Sequence, residues 1–128
     1  MQVDILPINA ANNGGTVTAA ISTAATLTLT APGAGLFIYL THLEITMFAG
    51  AALTAAATPV LVTTTNLTGS PVFSMNAAAM AQGTVEERIY PFGWPGIKAT
   101  AAATAVTIVA PLTTSVIWRI TAFYYVAP

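Results

Sequence analysis

Cysteine is absent from these 128 residues, and charge nearly so. Without a thiol there is neither a disulfide framework nor a thiolate metal site. The seven charged side chains are Asp4, Glu44, Glu86, Glu87, Arg88, Lys98 and Arg119, or 5% of the chain, where an average domain carries about a quarter. Three cations cannot supply the phosphate neutralisation on which nucleic-acid binding rests. The single histidine, His42, would have to recruit Asp4 for a Ser-His-Asp arrangement, and no Gly-x-Ser-x-Gly elbow accompanies it. His42 and Glu44, two apart on one strand face, offer two metal ligands where three or four are needed. Glu86 and Glu87 are adjacent, so on a strand they point to opposite faces and cannot flank one glycosidic bond. A Gly-rich phosphate loop is missing too. The residues point to a non-enzymatic protein with no cofactor and no metal.

Long uninterrupted apolar runs are also lacking, although mean hydropathy is +0.76. The most apolar stretch, 99–128, is broken by Pro111 and Arg119 and alternates with period two, unlike a spanning helix of about 20 apolar residues. Met1 to Pro7 has neither the basic start nor the apolar core of a secretion signal. The expectation is a chain made in the cytoplasm, with no membrane partner. Asn66-Leu67-Thr68 matches a glycosylation sequon, but without such a signal it reads as a turn.

What is present is alanine and threonine, together more than a third of the residues, within a 55% hydrophobic composition. Apolar side chains recur at every second position. Strands are predicted at 26–30, 36–48, 59–65, 72–75, 84–90, 97–100, 104–110 and 116–126. In the longest, Phe37, Tyr39, Leu43, Ile45 and Met47 fall on one face, and Leu36, Ile38, Leu40, His42, Glu44 and Thr46 on the other. In the last, Val116, Trp118, Ile120 and Tyr124 oppose Ile117, Arg119, Thr121, Phe123 and Tyr125, and its large residues suit a central strand. Residues 49–58 fit a helical turn or a loop equally well. Pro91-Phe92-Gly93-Trp94-Pro95-Gly96 excludes regular structure. About eight to ten strands, Gly/Pro/Asn connections and no helical spacing predict an all-β, single-domain antiparallel β-sandwich, jelly-roll-like. It spans residues 16–128, behind an N-terminal arm, 1–15, joined through Asn12-Asn13-Gly14-Gly15.

A surface with so little charge barely repels a second copy, and it is suited to being covered by protein. Candidate partner-contact residues are Tyr90, Phe92 and Trp94 in the aromatic Pro/Gly segment, with Glu86, Arg88 and Lys98 beside it in sequence. The aromatics suit a partner pocket or sugar stacking, and also a lid over the end of the core. Glu86 and Arg88 share a strand face, either as a solvated edge pair or as a contact that fixes register with a neighbour. Thr26, Thr28 and Thr30 form a hydroxyl row of the kind found on ice-binding surfaces and also on any half-exposed edge.

The runs Gly35-Leu36-Phe37-Ile38-Tyr39-Leu40-Thr41-His42-Leu43-Glu44-Ile45, Thr58 to Asn66 and Val116 to Tyr125 resemble the strands of small tailed-phage head decoration (cement) proteins. The likeness covers 16–126 and lies in pattern and composition. It implies a jelly roll, homotrimers at local three-fold positions, contact with the major capsid protein and residence in the virion. It carries over no catalytic residues. The low charge departs from that family and leaves a capsid, tail or fibre role open. The alternative is a carbohydrate- or receptor-binding module of a tail or fibre, using Phe92 and Trp94.

Overall fold

The computed structural model describes residues 13–128, and the N-terminal arm lies outside the described residues up to Asn12. Nine strands and no helix are found among them. In chain order these are β1 (Asn13–Thr18), β2 (Ala25–Leu29), β3 (Phe37–Ala49), β4 (Val60–Thr65), β5 (Phe73–Met75), β6 (Val85–Pro91), β7 (Ile97–Lys98), β8 (Val106–Ala110) and β9 (Val116–Ala127). Sheet A has the order β1-β9-β3-β6, with β7 also paired to β3, and sheet B has the order β2-β8-β4-β5. The antiparallel pairs β1–β9, β2–β8, β3–β6 and β4–β5 are nested in sequence. This is a jelly roll, two sheets packed face to face from one long folded-over hairpin. As its large residues suggest, β9 is central in sheet A.

The core fills the space between the sheets. Ile38, Leu40, Leu43, Ile45 and Met47 from β3 meet Trp118 and Ile120 from β9, with Leu29, Val62, Val106 and Ile108 opposite, all fully buried. Each such side chain contributes about 1.5–3 kcal/mol relative to exposure. Trp118 donates its indole N–H to the Pro111 carbonyl at 2.9 Å, which places a polar atom in an apolar layer without desolvation loss. No polar or charged residue among those described is buried.

Three local expectations change. First, the faces of β3 exchange at a β-bulge. Leu40 opposes Tyr124 and His42 opposes Phe123, so Thr41 is an extra residue in the ladder. Ile38 and Leu40 therefore share the inner face with Leu43, Ile45 and Met47, and Phe37 and Tyr39 join His42, Glu44 and Thr46 outside. The bulge is held by Thr41 Oγ1 donating to the Phe123 carbonyl at 3.0 Å, and by the Phe92 N–H donating to the Thr41 carbonyl at 3.0 Å. Second, Asn13, Gly14 and Gly15 are not a linker but the start of β1, paired to Tyr124, Phe123 and Ala122. Gly14 lets the Phe123 ring lie close, because a Cβ there would be 3.0 Å from the ring and would push it aside. Third, Pro91 belongs to β6. Phe92 and Tyr90 turn their backbones toward β3, so the position of Pro91 faces away and its missing N–H breaks no ladder bond. Residues 50–59 form no helical turn; their backbone pairs only at isolated points, such as Leu53 with Met80.

Candidate functional site

The outer face of sheet A carries four of the exposed large apolar side chains, Val85, Ile89, Phe123 and Trp94, while Leu61, Val72 and Leu112 lie elsewhere on the described surface. Alternation along β6 puts Val85 and Ile89 outward, 52% and 51% exposed, and alternation along β9 puts out Phe123, 47% exposed. Ile117, opposite Phe48, extends this face. The bulge adds Phe37 and Tyr39, which a regular strand would have sent inward. Polar groups are interleaved. His42 Nε2 lies 3.3 Å from Glu44 Oε1, and the His42 ring is tilted against Phe123 at 5.7 Å. Arg119, Glu87 and, at the Tyr39 end, Lys98 are the other charged side chains of this face.

At one end of the face three rings stack. Tyr39 and Tyr125, directly opposite in the ladder, are parallel with centroids 4.7 Å apart, and Trp94 covers Tyr125 at 4.8 Å. Tyr125 is left 3% exposed, whereas Trp94 is 64% exposed. The Tyr125 hydroxyl donates to the Pro95 carbonyl at 2.8 Å and so fastens the loop to the sheet. Burial, then the nearby Tyr39, pushes the Tyr125 hydroxyl above its ordinary pKa. Gly96 brings the loop close: its φ is +82°, and a Cβ would collide with the Leu40 carbonyl. Lys98, opposite Tyr39, places Nζ 4.1 Å from the Phe37 ring centre and 5.8 Å from that of Tyr39, a cation–π contact.

The six candidate residues thus separate into two groups. Trp94 and Lys98 lie with the stacked rings. Tyr90 and Phe92 turn inward and pack on Phe73 of β5, at 4.6 and 6.2 Å, closing the side of the sandwich between the sheets. Glu86 and Arg88 share that inward side. Glu86 Oε1 accepts from the Asn76 N–H at 2.9 Å and pairs with Arg88 at 3.2 Å, so the pair joins β6 to the segment after β5 within one chain. Phe123, Ile89, Val85 and Tyr125 were not singled out from sequence. The signal was present as alternation, but assigning the outer face needed the bulge and the pairing partners.

The outer face of sheet B differs. Thr28, Thr107 and Thr65 form one row across β2, β8 and β4, and Thr26, Val109 and Thr63 form the next. The hydroxyls of Thr65 and Thr107 are 2.6 Å apart. At the end of the sandwich away from Trp94, a cleft of about 560 Å³ is lined by Leu53, Ala56, Val60, Ala77, Leu112 and Thr113 among others, none of them ionisable. Among the described residues no three His, Asp or Glu side chains converge as metal ligands, and no helix is long and apolar enough to cross a membrane.

Comparison of the chain with protein families, with curated proteins and with solved structures finds no match in any of the three.

Proposed function

We propose that this chain is a structural protein of a virion, a decoration or cement protein that binds the major capsid protein and stabilises a phage head, associates with copies of itself and has no catalytic role. One observation carries the reading. The outer face of sheet A displays Val85, Ile89, Phe123 and Trp94, about half exposed or more, on a chain with 5% charged residues. Exposed apolar surface of this kind marks a contact site, and a rigid, stacked tryptophan is the residue type that dominates binding energy. Burying it removes apolar area from water, a driving force that salt does not screen. The test is occupancy on particles. Virions purified from the source should contain the chain in stoichiometric amount, and shells stripped of it should take it back in high salt. Trp94→Ala and Phe123→Ser should each weaken that rebinding at least tenfold. Absence from purified virions would refute the proposal.

A second reading is favoured by the same tryptophan. Its ring lies flat on Tyr125 at 21°, and its exposure suits stacking against a sugar, as in a receptor-binding module of a tail or fibre. That reading requires a glycan-array signal that Trp94→Ala abolishes.

A further inference from the structure

Sheet A ends in two edges of opposite character. The Ala19 N–H donates to the Trp118 carbonyl at 2.9 Å. Backbone-bonded pairs alternate along an antiparallel ladder, so Val17, Gly15 and Asn13 also turn their backbones to β9. Gly14, Thr16 and Thr18 turn theirs away from the sheet, where nothing meets them among the described residues. At the opposite edge the bond from the Ala49 N–H to the Thr84 carbonyl sets the same alternation, and β6 presents Val85, Glu87 and Ile89. That edge carries the Glu86-Glu87-Arg88 cluster, a recognised way to discourage strand pairing.

The β1 edge has no such device. Asn13-Gly14-Gly15-Thr16-Val17-Thr18 contains no charge, no proline and no bulge. β2 lies beneath it, since a Cβ on Gly15 would touch Leu27 and Leu29, and Ala25-Thr26-Leu27-Thr28-Leu29 is uncharged as well. Among the described residues, the two edge strands on this side, β1 and β2, therefore lack the charges that β6 carries on the other. The strand is also self-complementary. Its outward groups belong to Gly14, Thr16 and Thr18, so a two-fold axis through Thr16 pairs Thr16 with Thr16 and Gly14 with Thr18, closing a symmetric ladder.

We propose that a second copy of this chain adds its β1 antiparallel to this one about that axis, fusing the two A sheets into one. The apolar outer faces then lie side by side as one broad surface. This deepens the self-association in the reading above and rests on it, with a two-fold contact where the resemblance implies a three-fold one.

The experiment is sedimentation equilibrium of the full chain at micromolar concentration with two variants, and cross-linking of two cysteine variants. Wild type should give twice 13.1 kDa. Thr16→Pro removes an outward N–H and leaves the β9 ladder its bonds, and Thr16→Lys puts a charge on the axis. Both should give 13.1 kDa with an unchanged circular dichroism spectrum. Paired residues of this type have Cα atoms about 5.5 Å apart, within disulfide range. Thr16→Cys should therefore oxidise to a covalent dimer at least tenfold faster than Thr63→Cys on the outer face of sheet B. A monomeric wild type overturns the proposal, including one whose Gly14, Thr16 and Thr18 amides are protected from exchange because the chain covers its own edge. So does any oligomer that survives both substitutions, or equal cross-linking at the two sites. Dimers that never occupy shells would sink the decoration reading and leave this contact standing; monomers that coat shells would do the reverse.

Discussion

Deleting one residue from the middle of a core strand ordinarily reverses every side chain beyond it. In β3 the outcome should depend on which residue is removed. Thr41 is the extra residue opposite Phe123. Its removal joins Leu40 to His42 with regular alternation, and Ile38, Leu40, Leu43, Ile45 and Met47 all stay inside. What is lost is the bond from Thr41 Oγ1 to the Phe123 carbonyl and the one from the Phe92 N–H to the Thr41 carbonyl. At about 1 kcal/mol each, deletion of Thr41 should cost about 2 kcal/mol. Deleting Thr46, five residues on, leaves the bulge in place and drives the fully buried Met47 outward, a loss of about 1.5–3 kcal/mol. It also forces Phe48 into a filled core, at about 1–3 kcal/mol. The sum, about 2.5–6 kcal/mol, is a large part of the stability of an ordinary domain, about 5–15 kcal/mol. Urea unfolding followed by circular dichroism measures both. Equal losses, or a larger loss for the Thr41 deletion, would falsify the view that the bulge sets the faces of this strand.

Two further outcomes concern the aromatic stack. Tyr125 holds its proton above the ordinary value of 10.0, so the unfolded chain releases that proton first as pH rises. The contribution of this group to stability is full below pH 10.0 and is lost as pH passes through the folded value. Tyr125→Phe should flatten that alkaline loss in pH-dependent unfolding, at a neutral-pH cost of about 1 kcal/mol for the bond to Pro95; an unchanged alkaline profile would refute the assignment. Gly96→Ala forces alanine to the φ of +82° beside the Leu40 carbonyl, costing about 1–2 kcal/mol in backbone strain alone. It should release Trp94 from Tyr125, visible as altered tryptophan fluorescence and a lower tyrosine titration, whereas a wild-type spectrum would mean the loop is held by something else.

Strand content, the sandwich and the central place of β9 were legible in the residues because period two and its interruptions are local properties of a chain. Poverty of charge was equally plain, and with it the expectation of a surface meant to be covered. Tertiary pairing alone decided the rest. Leu36 to Phe48 reads with the same period on both sides of Thr41, and only the partners Tyr124 and Phe123 reveal that two residues share one position. The aromatic segment looks like one cluster in sequence, but Tyr90 and Phe92 follow β6 inward while Trp94 is carried over the sheet onto Tyr125, which is distant in the chain. Glycines 14 and 15 read as a hinge, yet both pair with β9, Gly14 under the Phe123 ring and Gly15 over Leu27. Composition thus fixes how little charge the surface can carry, whereas long-range strand pairing selects which side chains stay outside.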